Sequence, residues 1–520
     1  MRQWFLLALI AGLVACTADK SEPIFDILII NGTVYDGSDN PPTQSNIGIT
    51  GDRIAATNVP ADAKADTVID ATGLLIMPGF IDPHTHAPLS GIDLTAHLNF
   101  LTQGVTTVIV GSDGGGIDNR ESTVADLAAN GTGANIAWFA GHGAIREAVM
   151  ELEDREPTDD ELDAMRERVA QEISNGALGL STGLYYAPGS FASTDEVVAL
   201  TQVAADMGGI YDTHLRDESS YTVGLLPAVD EAIEIARRTG IAVHISHIKA
   251  LGKDTWGQSE EVVRRVNEAR ADGLSITANQ YPWRASNVRL ASALVPRWVM
   301  AGSRDDMRER LRDQTLADMI REEMTQNLAR RGGPEAMLIT TSDSAYRGMT
   351  LLRVSQVLET DPLTAAIELV ETEDPNIASF VMNQDDIDTF RVQPWVMTGS
   401  DGGRGHPRFS ASYPKAWRDF VRDREMLSAE QFVHRSSGLV ADTLGLCDRG
   451  YLRPGYAADI AIINESDFQP LADFENPDRL SSGVVHLLVN GARVISDSEH
   501  HERRAGRVLA KTEFDCPAES

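Results

Sequence analysis

Gly79-Phe80-Ile81-Asp82-Pro83-His84-Thr85-His86 closes an apolar run with two histidines one residue apart. On an extended segment, residues at that spacing face the same side, so both imidazoles can reach one divalent metal. Further imidazoles end later runs. His214 closes Tyr211-Asp212-Thr213-His214, and His247 closes Val243-His244-Ile245-Ser246-His247. Asp401 follows Thr398-Gly399-Ser400 and precedes Gly402-Gly403. Any one of these is an ordinary core or turn residue. Four His and one Asp at the ends of separate strands form a set that chance does not supply. A catalytic zinc takes about three protein ligands and keeps one position open for water. The ion lowers the pKa of that water towards neutrality. A neighbouring carboxylate can take the released proton and return it to a leaving group. Asp401 is the residue assigned to that task.

Such a set needs elements that end at one place. Apolar runs occur at 74–81, 105–110, 136–139, 177–180, 209–213, 242–246, 275–279 and 395–400. Amphipathic helical stretches such as 161–174 and 231–239 lie between several of them. Repeated strand–helix alternation predicts a parallel sheet. Eight runs suffice for a (β/α)8 TIM-like barrel, whose active sites form at the carboxyl ends of the strands. The metal residues end runs one, five and six, and Asp401 follows run eight. A charged, helix-like stretch at about 297–333 reads as an insertion. The chain ends are different in kind. Residues 26–30 form a β-branched strand before Asn31-Gly32, a hairpin signal. The far end repeats the pattern at 459–463 and 484–489, with a second turn at Asn490-Gly491. The expected architecture is therefore α/β: a barrel over 79–440, inserted in a small β-sandwich built from 25–78 and 441–510.

Residues 1–16 carry one Arg before an apolar run and end in Leu13-Val14-Ala15-Cys16. The run is too short to span a bilayer and fits a secretory leader. Its ending resembles a bacterial lipoprotein signal, which implies a lipid anchor on Cys16. The expected location is the periplasm or cell envelope, with 17–24 as a polar tether and contact with the membrane only through that anchor. The formal charge of −32, from 45 basic and 77 acidic residues, disfavours a nucleic-acid-binding face.

The motifs together resemble the amidohydrolase superfamily, and within it the D-aminoacylases (N-acyl-D-amino-acid deacylases). The matches are Gln103–Thr107, Ser181–Gly189, Thr213–Glu218, Ile245–Lys249, Gln280–Trp283, Ser400–Gly402 with His406-Pro407-Arg408, and Gly445–Asp459. The resemblance runs from about residue 25 to 500. It implies hydrolysis of the amide of an N-acyl-D-amino acid to a carboxylate and a free D-amino acid. Gly111-Ser112-Asp113-Gly114 departs from the family, which usually carries a zinc-ligating Cys where Asp113 stands. Asp113 is expected to replace that thiolate as a harder oxygen ligand or to bridge two metals. Many two-metal relatives bridge with a carboxylated Lys on strand four, but no Lys occurs between Lys64 and Lys249. His214, His247 and Asp113 are expected to hold a tight zinc. His84 and His86 either hold a second, weaker metal or orient the carbonyl.

The resemblance also implies that Lys249, Tyr186 and Tyr281 face the substrate, a small N-acyl amino acid. An ammonium and two phenols are suited to hold its carboxylate. Arg289, farther along the loop after Tyr281, is a further candidate. Arg408 reads either as a structural ion-pair partner or as an anion contact. Trp283 and Trp298 are candidates for an acyl-pocket wall. A dipeptidase or cyclic-amide hydrolase of the same superfamily is the alternative reaction. The alternative of another class is a surface lipoprotein that binds acyl amino acids with a degenerate site.

Overall fold

The computed structural model describes residues 25–341 and 343–513. The leader, the tether and Cys16 lie outside the described residues.

Eight parallel strands form the central ring. In order they are Phe80–Asp82, Val105–Val110, Asn135–Trp138, Gly179–Gly183, Ile210–His214, Val243–Ile245, Ile276–Gln280 and Val396–Thr398. The third continues through Ala140–Gly141, which pairs with the fourth. Each is buried nearly throughout, as expected for a sheet covered on both faces. The eighth strand meets the first through Asp401 N to His84 O (3.0 Å) and His86 N to Gly402 O (2.8 Å). That seam brings two of the chemical motifs side by side. Helices cover the outside. Asp159–Ser174 starts with a reciprocal cap between Thr158 and Glu161. Leu225–Thr239 buries Leu225, Ala228, Val229, Ala232, Ile233 and Ala236 on one stripe.

Both chain ends build the second layer. Ile460–Ile463 pairs antiparallel with Leu75–Pro78 in a seven-stranded sheet. A four-stranded sheet around Phe25–Ile30 faces it. Ile27, Ile29, Ile47, Ile49, Ile54, Ile76, Ile460 and Ile462 fill the space between them. β-branched side chains suit this position because they pack stiffly on a pleated surface. After the sandwich the chain returns to the barrel, where Leu509 N donates to Ile136 O (2.7 Å).

The insertion is larger than its charged helices suggest. Ala285–Arg289, Asn376–Phe380 and Met337–Ile339 form an antiparallel three-stranded sheet. Helices Arg304–Arg312, Ala317–Arg330, Leu351–Val357 and Pro362–Thr372 accompany it. A separate core of Leu290, Leu294, Val299, Ile320, Met324, Leu351 and Leu369 holds this unit together. Its first strand begins five residues after the seventh barrel strand ends. The insertion therefore overhangs the carboxyl ends of the barrel strands.

Candidate metal centre

The barrel positions the site residues by ending its strands at them. Three of these residues have positive φ: Asp113 (55°), His247 (33°) and Asp401 (48°). Non-glycine residues adopt this region at a cost and cluster there at functional sites. Local bonds hold two of them: His247 N donates to Asn279 Oδ1 (3.0 Å) and Asp401 N to His84 O. The Asp113 loop presses on the fourth strand so closely that a Cβ on Gly183 would lie 2.1 Å from Asp113 O. Gly183 is required there.

Two donor groups result. One contains His84, His86, Asp113 and Asp401; the other contains His214, Glu218 and His247. The structure divides the donors differently from the expected partition. Asp113 sits with His84 and His86, its Oδ2 lying 3.5 and 3.4 Å from their Nε2 atoms. Its Oδ1 reaches His247 Nε2 at 3.2 Å. The carboxylate thus spans both groups, which the bridging alternative requires. His86 Nε2 lies 3.3 Å from Asp401 Oδ1. Glu218, the last residue of the Thr213–Glu218 motif, joins the second group although the sequence implies no task for it. It lies four residues after His214 on the loop that leaves the strand, with Oε2 3.5 Å from His214 Nε2, and no strand or helix periodicity points to it there.

The hydrogen bonds fix which ring nitrogen faces the centre. Ser246 Oγ donates to Asp212 Oδ1 (2.6 Å), so it accepts from His84 Nδ1 (3.0 Å). A neutral His84 then carries its lone pair on Nε2, which is buried and without a hydrogen-bond partner among the described residues. His214 Nδ1 donates to Leu215 O (2.8 Å), which likewise turns its Nε2 lone pair towards Glu218. Lone pairs that face carboxylates across 3.5 Å need a cation between them. Outer partners that orient ligating imidazoles in this way accompany metal sites. The residues present therefore fit a divalent metal.

The titration behaviour agrees. Burial raises the Asp113 carboxyl, but the neighbouring His84 and His247 imidazoles outweigh it and hold it well below the usual range. Burial opposes ionisation of Asp401 too, yet Arg408, His247 and His86 keep it low. Arg408 Nη1 lies 2.8 Å from Asp401 Oδ2. Burial lowers His86 and His247, but the carboxylates around them lift the two to about 10 and about 9. In the metal-free centre, protons on these rings supply the positive charge that the acids demand. His214 is different: burial takes it down to about 4, so it is neutral and ready to ligate.

The centre lies in a cavity of about 620 Å³ that also takes in Tyr186, Tyr281, Lys249, Arg408 and Arg289. Tyr186 packs edge-on against His214, with centroids 4.8 Å apart. Burial and nearby carboxylates hold its phenol well above the ordinary value, so it stays a donor. Lys249 is buried and donates to Glu218 Oε1 (2.5 Å) and to His247 O (3.0 Å). Arg289 is exposed at the rim, 3.8 Å from Asp374. The tryptophans do not wall this cavity. Trp283 donates to Ser412 Oγ and packs on His406 and Phe474. Trp298 bonds Glu323 and lines a second cavity of about 430 Å³ behind Tyr185 and Tyr221.

Comparison with known proteins places these features in context. Residues 67–378 and 375–495 match a model described as the amidohydrolase family. The chain is 32% identical to a D-aminoacylase of Alcaligenes xylosoxydans xylosoxydans, over 95% of this chain and 99% of that one. It is 31% identical to an N-acyl-D-aspartate deacylase from the same organism, over 95% and 97%. Among solved structures it is similar to an N-acyl-D-glutamate deacylase of Bordetella bronchiseptica, complexed with zinc and a phosphonate inhibitor. There the TM-score is 0.81 and the identity 27%, covering 94% of this chain and 100% of that one.

Proposed function

The chain belongs to the amidohydrolase family, and on that premise we propose that its barrel mouth hydrolyses N-acyl-D-amino acids to a carboxylate and the free D-amino acid. One observation carries the reading: Asp113 joins two groups of imidazoles and carboxylates at the floor of a cavity of substrate size. The D configuration is taken from the relatives.

Zinc is the ion we assign, because imidazole and carboxylate donors suit it. His84, His86 and Asp113 would form one position, and His214 and His247 the other, with Asp113 shared. A metal held there would supply an acidified water and a Lewis acid for the scissile carbonyl. Asp401 is the proton carrier. It stands between His86 and Arg408, which keep it ionised and able to accept a proton at neutral pH. It then delivers the proton to the departing amine. Arg408 is buried, and its Nε has no hydrogen-bond partner among the described residues. We assign that donor, with the Tyr281 phenol beneath the guanidinium (4.8 Å), to the substrate α-carboxylate. Tyr186 and Lys249 form the adjoining wall, with Lys249 anchored to Glu218, and Arg289 guards the rim.

The test is a mass-spectrometric screen of N-acetyl-D- and L-amino acids, dipeptides and hydantoins. Full-length protein in detergent is stripped with chelator and restored with zinc. Zinc-dependent release of D-amino acids is expected. Turnover of dipeptides or hydantoins alone, or of nothing after restoration, overturns the reading. We further propose export and lipid attachment at Cys16, supported by the charged start, apolar run and Leu-Val-Ala-Cys ending of residues 1–16. Metabolic labelling with a tagged fatty acid should mark the protein and fail to mark C16S; equal labelling of both rejects the anchor.

A further inference from the structure

The cavity has a second charged end. Arg331, 2% exposed, donates from Nε to Tyr221 Oη (2.6 Å), from Nη2 to Tyr185 Oη (2.9 Å) and from Nη1 to Ser286 Oγ (3.2 Å). The two phenols spend their own protons elsewhere: Tyr185 donates to Ser292 O (2.8 Å) and Tyr221 to Ala293 O (3.0 Å). The guanidinium is therefore held by neutral acceptors, and five N–H donors exceed the three bonds made. Two more cations stand close by. The Arg297 guanidinium lies 4.1 Å over the Tyr185 ring and that of Arg330 lies 5.5 Å over Tyr221. No ion pair among the described residues includes any of the three.

A buried cation without an anion is costly. This chain has 77 acidic residues against 45 basic ones, so a buried guanidinium left without an ion pair does not arise from scarcity. Its position gives the reason. Arg331, Tyr185, Tyr221, Ser286 and Ser292 line the same cavity as His86, His214 and Asp401. The Tyr185 ring stacks on His214, centroids 5.4 Å apart and 19° from parallel, and its hydroxyl meets Arg331. One phenol separates the metal centre from the unpaired guanidinium.

Resting on the deacylase reading above, we propose that Arg331 with Tyr185 and Tyr221 binds a second carboxylate of the substrate, so that doubly anionic N-acyl-D-amino acids are preferred. That carboxylate comes from the amino-acid side chain or from the far end of the acyl group. A planar guanidinium held by fixed phenols is suited to bidentate recognition of it.

The test compares kcat/KM for isosteric pairs on the zinc-restored full-length protein. N-acetyl-D-glutamate against N-acetyl-D-glutamine probes the side-chain source. N-succinyl-D-glutamine against N-acetyl-D-glutamine probes the acyl source. One ratio is expected to exceed about 30, the scale of a desolvated charge pair. R331M should bring that ratio to about one while neutral substrates change less than about threefold. R331K, which keeps the charge without the fork, should retain part of it. Thermal midpoint and zinc content are followed for each variant; if R331M does not fold, the wild-type ratios and R331K decide. Turnover of neutral substrates with both ratios near one, or equal loss on all substrates in R331M, overturns the inference and leaves the deacylase reading standing. Absence of turnover on any D substrate overturns that reading and this inference with it.

Discussion

The two ends of one cavity have opposite electrostatic deficits. At the metal centre, Asp113, Asp401 and Glu218 converge, and His86 and His247 stay protonated to answer them. At the Arg331 corner, the guanidinium donates to two phenols and a hydroxyl and forms no ion pair among the described residues, with Arg297 and Arg330 over the same phenol rings. The acids are answered by ring protons, Arg408 and Lys249, whereas Arg331 has no ion pair among the described residues. The first calls for a cation and the second for an anion. A folded chain tolerates such unsatisfied charge where ligands complete it, and the pair of deficits describes a doubly anionic amide lying between a metal and an arginine.

Changes aimed at one end should leave the other alone. The largest effect is expected from D401N, which removes the proton carrier. It should lower kcat by about 10²–10⁴ while the preference between glutamate and glutamine substrates persists. Loss of the preference along with the rate would mean the two ends are not separable.

Metal binding should depend steeply on pH. His86 and His247 have raised pKa values of about 10 and about 9 in the metal-free centre, so they hold protons below those values. A metal must displace them, and affinity should climb as pH rises. Each displaced proton contributes about tenfold per pH unit. Zinc titrations between pH 6 and 8, in buffers of different ionisation heat, measure both the slope and the protons released. A flat profile would contradict the assignment of these rings as ligands.

A smaller, stability-based contrast compares the arginines. R408M leaves Asp401 buried without its partner and should destabilise the metal-free protein by about 3 kcal/mol. R331M removes a cation that has hydrogen bonds but no ion pair among the described residues and should cost less. Denaturant midpoints of the two variants test the order, and a greater loss in R331M would show that the corner is structural rather than a ligand site. The smallest effect belongs to R289A. Its side chain is exposed and 3.8 Å from Asp374, so kcat/KM should change less than about threefold. A large loss would move the substrate's second anion from Arg331 to the rim.

Much of the barrel could be read directly from its residues. Seven of the eight apolar runs became strands of the ring, because strands buried on both faces must be nearly continuous in apolar residues; the first, 74–81, is split, with Leu75–Pro78 joining the sandwich and only its end entering the ring strand Phe80–Asp82. The histidines were visible because imidazoles at strand ends have few other reasons to recur. The insertion was seen only through its charged helices. Its strands, such as Ala285–Arg289 and Asn376–Phe380, are far apart in sequence and pair only after folding.

Residue type and spacing alone determined the ring of strands and the chain-end sandwich, and marked four His and Asp401 as candidates at strand ends. Those features depend on periodicity and on chemistry that each residue carries wherever it stands. The tertiary structure alone decided that Asp113 touches both imidazole groups, that Glu218 joins them, that Trp283 and Trp298 turn away, and that Arg331 has no ion pair among the described residues. Each of these is a statement about distance between remote segments. Whether a charge is paired depends on what surrounds it, and no run of neighbouring residues encodes that.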